Sequence, residues 1–232
     1  MRLAIMQPYI FPYIGYFQLI KYVDLFVVYD NIKYTKKGWI NRNRYLKNGK
    51  DTIFSIPLKK DSDYLDVRNR MVSGNFDRRK LLNQIKEAYR KAPYFEYVFP
   101  LFEKIVTNNE LNLFKFIHYS IEETCKVLNI ATPIIVSSNV AIDHSLQNQD
   151  KVLAICCALG ADMYINPIGG QELYSINSFA SSGIDLKFLK SKPFEYTQFG
   201  AQFVPWLSII DVMMFNSPQF IESSILKEYY IA

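Results

Sequence analysis

The chain has 232 residues, is 50% hydrophobic and carries a formal net charge of +5 at pH 7. This length suits one large α/β domain or two small ones, and the hydrophobic share is ample for a core. The three cysteines, Cys125, Cys156 and Cys157, have neither metal-ligand spacing nor a disulfide framework, which excludes a cysteine-stapled secreted domain and favours a reduced, cytoplasmic protein.

The amino-terminal segment is apolar, but we expect neither a signal peptide nor a membrane span there. Pro8 and Pro12 interrupt it, Gln7 lies within it, and no small-residue cleavage site follows. No apolar run in the chain reaches the roughly 20 residues that a membrane span needs. The prediction is therefore a cytoplasmic protein without a membrane span.

The first elements in chain order predict a parallel βαβ unit. Residues 3–6 form an apolar strand, residues 12–22 a helix and residues 25–29 a second buried strand. Gln7 follows the first strand, and Asp30 and Asn31 follow the second. Because ligands of open α/β sheets bind outside the carboxyl ends of strands, these polar residues lie where a site is expected.

A basic hairpin is predicted next, over residues 33–57. Asn48-Gly49 is a strong two-residue turn signal with strand-like residues on both sides. The segment 33–50 is rich in Lys and Arg, contains no acidic residue and includes Trp39. Fixed cations beside aromatic faces suit a ligand that carries phosphate as well as a ring or sugar.

Two long helices are predicted after the hairpin, over 78–90 and about 110–128, and together they form a helical insertion at about 77–130. The aromatic-rich segment 93–102 between them is either an exposed apolar patch or part of the helix packing, and we favour packing.

The last third returns to alternating elements, with strands over 132–137, 163–166 and 186–189 and helices over 149–159 and 207–216. We predict a single α/β domain over residues 1–232, with a Rossmann-like parallel or mixed sheet flanked by helices, the basic hairpin and the helical insertion.

The alternation Asn-Arg-Asn-Arg predicts two different faces of one strand. Arg42 and Arg44 would share one face, and Asn41 and Asn43 the other. Two guanidinium groups on one face could clamp a diphosphate bidentately. The competing interpretation is an exposed hairpin whose charges only keep it solvated.

Asn166 ends a predicted strand and is followed by Gly169 and Gly170. Two adjacent glycines permit positive φ angles and close backbone approach to a ligand. The Lys-Ser/Thr of a P-loop is missing, and no G-x-G-x-x-G occurs. We therefore predict neither Walker-type ATP hydrolysis nor a dinucleotide cofactor.

Candidate catalytic groups are few. His144 lies beside Asp143 in a loop, where it is either a general base or a surface histidine, whereas His118 on a helix is better explained as structural. Asp211 is a lone carboxylate on an apolar helix, and is therefore either catalytic or partnered, for instance by an arginine of the basic segment. Two distant histidines and no cysteine cluster make a metal site unexpected.

Four motifs together resemble the WbqC-like family: IMQPYIFPYIGYFQLI, VYDNIKYTKKGWINRNR, YINPIGGQELY and LSIIDVMMFN. The similarity spans Met6 to Asn216. The family is associated with bacterial O-antigen and other surface-polysaccharide gene clusters. The resemblance thus implies a step in making or modifying nucleotide-activated sugars, and one implied role is attachment of an amino acid such as glycine to an amino sugar.

A weaker analogy at the level of fold links the amino terminus to nucleotidylyltransferases. Pro12-Tyr-Ile-Gly15-Tyr16 takes the place of their His-x-Gly-His signature but contains neither histidine. Because those histidines stabilise the transferring phosphates, usual nucleotidyl transfer is not expected.

The resulting hypothesis is a transferase acting on a nucleotide-linked amino sugar. In it Asp30, His144 and Asp211 are the catalytic candidates. The substrate-binding candidates are Gln7, Tyr9, Tyr34, Lys36, Lys37, Trp39, Asn41, Arg42, Asn43, Arg44, Asn166, Gly169 and Gly170. Two alternatives remain: an aminoacyl-tRNA or RNA-binding module, which basic residues interleaved with aromatics also suit, and a non-catalytic assembly factor of the polysaccharide pathway.

Overall fold

A computed structural model describes residues 1–200 and 202–232. A six-stranded sheet forms its centre, in the order β5-β2-β1-β6-β7-β8, and β3 and β4 form a separate antiparallel hairpin. The strands are β1 Arg2–Met6, β2 Leu25–Val28, β3 Arg42–Lys47, β4 Lys50–Ser55, β5 Ile134–Val136, β6 Met163–Pro167, β7 Asp185–Ser191 and β8 Tyr229–Ile231. The first five strands of the sheet run parallel, and only β8 pairs antiparallel, with β7. The predicted α/β fold is therefore confirmed.

Eight α-helices accompany the strands in the described residues. They are α1 Ile14–Tyr22, α2 Arg78–Tyr89, α3 Phe95–Thr107, α4 Leu113–Val127, α5 Asn148–Ala158, α6 Ile176–Ser181, α7 Ile209–Phe215 and α8 Pro218–Ser223. Side chains cap two insertion helices: Asp77 accepts a hydrogen bond from Lys80 N, and Asn112 accepts one from Lys115 N. Among the described residues, none of these helices is both long enough and apolar enough to cross a membrane.

Helices cover both faces of the sheet. Successive side chains of its central strands point to opposite faces and are buried on both. Leu3 and Ile5 of β1 pack with residues of α5 and α6, whereas Ala4 packs on the opposite side with α1 and α7. β2 repeats the pattern and is apolar throughout, as expected for a parallel strand covered on both sides.

The hairpin forms as its turn signal predicts. Asn48 and Gly49 have φ angles of 51° and 72°, and Lys47 pairs with Lys50 across the turn. Two consecutive positive φ angles are those of a tight hairpin turn that matches the strand twist.

The helical insertion contains three helices, α2, α3 and α4. The middle one, α3, which was not predicted as a separate helix, covers most of the aromatic segment, and its Phe95, Val98 and Phe102 are buried. The favoured interpretation of that segment, helix packing, is therefore confirmed.

Candidate functional site

The sheet order places a topological switch between β1 and β6. From β1 the chain proceeds to β2 and β5 on one side, and then crosses to β6, β7 and β8 on the other. β1 and β6 pair in register at Arg2–Met163 and Leu3–Tyr164, near their amino-terminal ends. Ligands of open α/β sheets bind outside the carboxyl ends of strands at such a point. The loops after β1, β2, β5 and β6 are therefore the place to look for a site.

The loop after β1 contributes Gln7 and Tyr9, which are both half-buried. Tyr9 donates a hydrogen bond to Gln7 Oε1 at 3.3 Å, and Tyr16 donates one to the Gln7 carbonyl at 3.1 Å. Burial raises the pKa of Tyr9, so its hydroxyl stays a donor at neutral pH. The two residues form a small polar group at the edge of the switch point.

The end of β6 contributes Asn166, whose side chain is buried. It accepts a hydrogen bond from the Tyr164 hydroxyl at 3.3 Å and donates one to the Pro167 carbonyl at 3.2 Å. Gly169 and Gly170 do not use the positive φ angles that glycine permits, since both lie in a 3₁₀ turn over 168–173. A Cβ on Gly170 would lie 2.1 Å from Asn166 Nδ2, so this glycine makes room for the asparagine.

The two adjacent glycines should therefore respond differently to alanine. We expect Gly170→Ala to lower the free energy of unfolding by roughly 1–3 kcal/mol, because the new methyl group displaces a buried, hydrogen-bonded amide. Gly169→Ala is the matched control, since no atom of residues 1–200 or 202–232 lies within 4 Å of the place its Cβ would take. Urea unfolding of both variants measures the difference, and equal stabilities would contradict the packing role of Gly170.

Asp30 joins the carboxyl ends of β2 and β5. Its carboxylate accepts hydrogen bonds from Ser137 Oγ at 2.8 Å, Ser138 Oγ at 2.7 Å and Ser138 N at 3.0 Å. The side chain is only 3% exposed. Asp30 thus organises two neighbouring loops at the sheet edge.

His144 reaches this cluster from the loop before α5. Its Nδ1 lies 3.0 Å from Asn31 Nδ2, and the imidazole is otherwise exposed. The neighbouring Asp143 carboxylate is occupied by the backbone and hydroxyl of Ser145. The partner of His144 is therefore Asn31, and the structure brings two predicted catalytic candidates, Asp30 and His144, into one network.

Lys151 is a member of the cluster that sequence reasoning missed. It lies in the first turns of α5, is only 5% exposed, and donates a hydrogen bond to the Asn31 carbonyl at 3.3 Å. Its ammonium also lies 5.4 Å from the centre of the Tyr29 ring. Burial lowers the pKa of Lys151. One signal could have revealed it: Lys151 shares a helical face with Ile155, on the apolar stripe of α5.

Trp39, Arg42 and Arg44 form a strip on one side of the hairpin. The guanidinium carbons of Arg42 and Arg44 lie 5.3 Å and 5.1 Å from the Trp39 ring centre. The two arginines therefore share a face, as the alternation predicted. Arg42 also holds the backbone carbonyls of Lys37 and Gly38, and Arg44 pairs with Asp51 at 3.3 Å.

The side-chain amides of Asn41 and Asn43 donate hydrogen bonds to backbone carbonyls. Asn43 Nδ2 donates to the carbonyls of Ile10 and Phe11 at 3.0 Å and 2.7 Å, and these two residues belong to the loop after β1. Asn41 bridges the Tyr34 hydroxyl and the Ile56 carbonyl. Asn43 thus fastens the Trp39–Arg42–Arg44 strip to a loop at the carboxyl edge of the sheet.

The lysines before the strip are exposed. Lys36 lies 3.7 Å from Asp63 in a surface ion pair, and Lys37 is also exposed. Such pairs contribute little to stability, so both ammonium groups can turn toward an anionic ligand.

Asp211 lies in the interior, with no exposed surface. Gln198 Nε2 donates to both of its oxygens, at 3.2 Å and 3.3 Å, and the Tyr196 hydroxyl lies at 3.5 Å. Burial raises the pKa of Asp211 to about 7. Its hydrogen-bond partners among the described residues are uncharged, so the predicted pairing with an arginine of the basic segment is wrong.

No group of three or more His, Cys, Asp and Glu side chains suited to a metal ion occurs in residues 1–200 and 202–232. The edge of the sheet offers hydrogen-bonding groups, the buried ammonium of Lys151 and the imidazole of His144.

Comparison with known proteins adds a family and one relative. The sequence model described as "WbqC-like protein family" matches residues 7–223. A protein of Mycobacterium tuberculosis (strain ATCC 25618 / H37Rv), named "Uncharacterized protein Rv1507c", is 23% identical over 221 residues, which cover 93% of each chain. No solved structure matches this chain.

Proposed function

Because the chain belongs to the WbqC-like protein family, we propose that it is a transferase of bacterial O-antigen or other surface-polysaccharide biosynthesis, acting on a nucleotide-activated amino sugar. The group transferred is an aminoacyl group such as glycyl, and the acceptor is the amine of the sugar. The donor is an activated acyl ester, a class that includes aminoacyl-tRNA.

The Trp39–Arg42–Arg44 strip is the observation that carries this proposal. Two guanidinium groups lie over one indole, and Asn43 fastens the strand that bears them to the loop after β1. Arg44 Nε is buried and has no hydrogen-bond partner in the described part of the chain. A buried donor without a partner is costly, and a phosphate oxygen would satisfy it.

The remaining roles follow from position. The indole of Trp39, 39% exposed, offers a face for a base or a sugar, while Lys36 and Lys37 add positive charge beside it. Gln7 is half-buried beside the switch point and supplies an amide for a sugar hydroxyl. Asp30 and His144 belong to the hydrogen-bond network that would accept the proton lost by the sugar amine.

The reaction balances without a cofactor. The sugar amine attacks the acyl carbon, the C–N bond of the amide forms and the C–O bond of the ester breaks. The proton lost by the amine passes through a base to the leaving alkoxide, which departs as an alcohol.

A thermal-shift series with UDP-, dTDP- and GDP-linked amino sugars tests the proposal. A ligand at about 100 times its dissociation constant stabilises the native state by about 2.7 kcal/mol, which for a chain of this size raises Tm by roughly 5–10 °C. We expect one nucleotide class to do so. If none shifts Tm at millimolar concentration, the nucleotide-sugar proposal fails.

Arg44→Ala should weaken that ligand by about 10- to 100-fold, because a charge-assisted contact to phosphate is lost. Lys50→Ala at the hairpin tip removes the same charge away from Trp39 and should change affinity less than about twofold. Arg42→Ala is a less clean test, since it also frees the carbonyls of Lys37 and Gly38. If Arg44→Ala and Lys50→Ala weakened ligand binding equally, the strip would contribute only general positive charge and no specific phosphate contact.

A second candidate function, RNA binding, is favoured by another cation–aromatic pair of side chains. Tyr64 is 82% exposed, and Lys33 Nζ lies 4.4 Å from its ring centre. Exposed aromatic faces next to cations are stacking platforms for single-stranded bases. Salt titration separates the two functions, because RNA affinity falls steeply with salt in proportion to the phosphates contacted.

A further inference from the structure

Asn31 is the hub of the network at the carboxyl edge. Its side chain lies between Ser137 Oγ, 2.7 Å from one amide atom, and His144 Nδ1, 3.0 Å from the other. Its backbone carbonyl accepts a hydrogen bond from the buried Lys151. The flanking carbonyls of Asp30 and Ile32 accept from Arg68 N and Val67 N. The backbone of 30–32 is thus held on several sides, and the amide of Asn31 has a fixed position.

The single hydroxyl hydrogen of Ser137 determines whether the oxygen or the nitrogen of the Asn31 side chain faces Ser137. Ser137 Oγ accepts from Asp30 N at 3.2 Å and lies 2.8 Å from Asp30 Oδ1 and 2.7 Å from the Asn31 amide. Because a hydroxyl has one hydrogen, it cannot donate to two oxygens at once. An ionised aspartate has no hydrogen to donate, and the Asp30 carboxylate accepts from Ser138 as well. If the Asn31 oxygen faced Ser137, one of the two short contacts would join oxygens with no hydrogen between them.

The opposite orientation satisfies every contact, since the oxygen and nitrogen of an amide are distinguished by their hydrogen bonds. Asn31 Nδ2 then donates to Ser137 Oγ, and Ser137 donates its single hydrogen to Asp30. The Asn31 oxygen then faces His144 Nδ1. Because the Asn31 oxygen is an acceptor, His144 Nδ1 must carry a hydrogen to bond with it. In a neutral imidazole Nε2 then has no hydrogen and keeps its in-plane lone pair.

We propose that Asn31, held by Asp30, Ser137 and Lys151, fixes neutral His144 as the Nδ1–H tautomer and so turns a basic Nε2 toward solvent and substrate. Asn31 is a positioning residue in this arrangement. The role of His144 as the base rests on the proposed function: the proton of the attacking amine passes to Nε2 as the amide bond forms, and then to the leaving alkoxide. The tautomer itself does not depend on that function.

Nitrogen-15 NMR of the imidazole rings, recorded on the ligand-free protein, tests the tautomer directly. The chain has only two histidines, so the signals lost in His144→Gln identify this ring. At a pH at which the nitrogen shifts show a neutral ring, we expect His144 to carry its hydrogen on Nδ1. A hydrogen found mainly on Nε2 would overturn the proposal.

Two substitutions at Asn31 then test the source of the preference. Asn31→Asp keeps an oxygen opposite Nδ1–H and should retain the Nδ1–H tautomer, although its second oxygen replaces the donor to Ser137. Asn31→Leu removes the oxygen opposite Nδ1–H and should reduce the population of that tautomer. Loss of Nδ1–H in Asn31→Asp, or its full retention in Asn31→Leu, would contradict the role of Asn31. If either variant fails to fold, the wild-type spectrum still decides. The proposed function is tested separately, by the thermal shifts with nucleotide sugars. Those shifts do not depend on the tautomer of His144.

Discussion

Replacing Asp211 by asparagine is expected to stabilise the protein above neutral pH and to flatten the pH dependence of its unfolding free energy. Burial raises the pKa of Asp211 from 3.8 to about 7, so the native state holds a proton that the unfolded chain releases. Its stabilising contribution is therefore complete below pH 3.8 and is lost as the pH rises through about 7. A shift of this size corresponds to up to about 4 kcal/mol.

Asparagine has nearly the same shape and stays neutral. Its oxygen can accept from Tyr196, although its amide nitrogen would face one of the contacts that Gln198 makes with the carboxylate. The net gain at pH 8 should therefore be smaller than the full shift, roughly 1–3 kcal/mol. Urea unfolding of wild type and Asp211→Asn between pH 4 and pH 8 measures it. Asp185→Asn, at an exposed carboxylate, is the matched control. Parallel curves for wild type and Asp211→Asn would show that Asp211 is ionised in the native state.

Asp30→Ala should be among the most destabilising single substitutions at the edge of the sheet. The carboxylate accepts three hydrogen bonds, one from the buried Ser137 hydroxyl and two from the half-buried Ser138, and its removal leaves these donors without this partner. Each orphaned group costs about 1–3 kcal/mol, so we expect a loss of roughly 3–5 kcal/mol. The loop after β5 would also lose its attachment to β2.

The free energy of unfolding in urea measures this loss, and Asp185→Ala provides the comparison. Among the described residues the Asp185 carboxylate forms only an exposed ion pair with Lys187, at 3.8 Å, and its removal should change stability by less than about 1 kcal/mol. A similarly small effect of Asp30→Ala would show that Asp30 does not hold β2 and β5 together. His144 gives a second observation, because its tautomer preference should weaken in Asp30→Ala.

The main elements of the fold could be predicted from local signals. Apolar runs marked β1 and β2, and Asn48-Gly49 marked the hairpin turn, because both depend on neighbouring residues alone. β8 was not predicted. It is a short edge strand with two of its three residues exposed, and it exists because β7 offers a pairing partner.

The candidate site was predicted less completely. The shared face of Arg42 and Arg44 followed from strand periodicity and is confirmed. The use of Asn43 was not foreseeable, since an asparagine on a strand can face a ligand or a backbone carbonyl equally well. Lys151 was missed because a lysine is normally assigned to a solvated face, whereas this one lies on the buried face of α5.

The sequence alone thus determined the family, the α/β class and a concentrated positive charge beside an indole, because long motifs, periodicity and composition are properties of the linear chain. Only the tertiary structure decided which polar groups meet at the sheet edge. Asp30 lies 107 residues before Ser137, whose segment also holds His144 and Lys151, and the two segments come together because parallel pairing of β2 with β5 brings the carboxyl ends of these strands side by side. Parallel strands need long crossover connections, and no local pattern specifies which crossover returns to which neighbour.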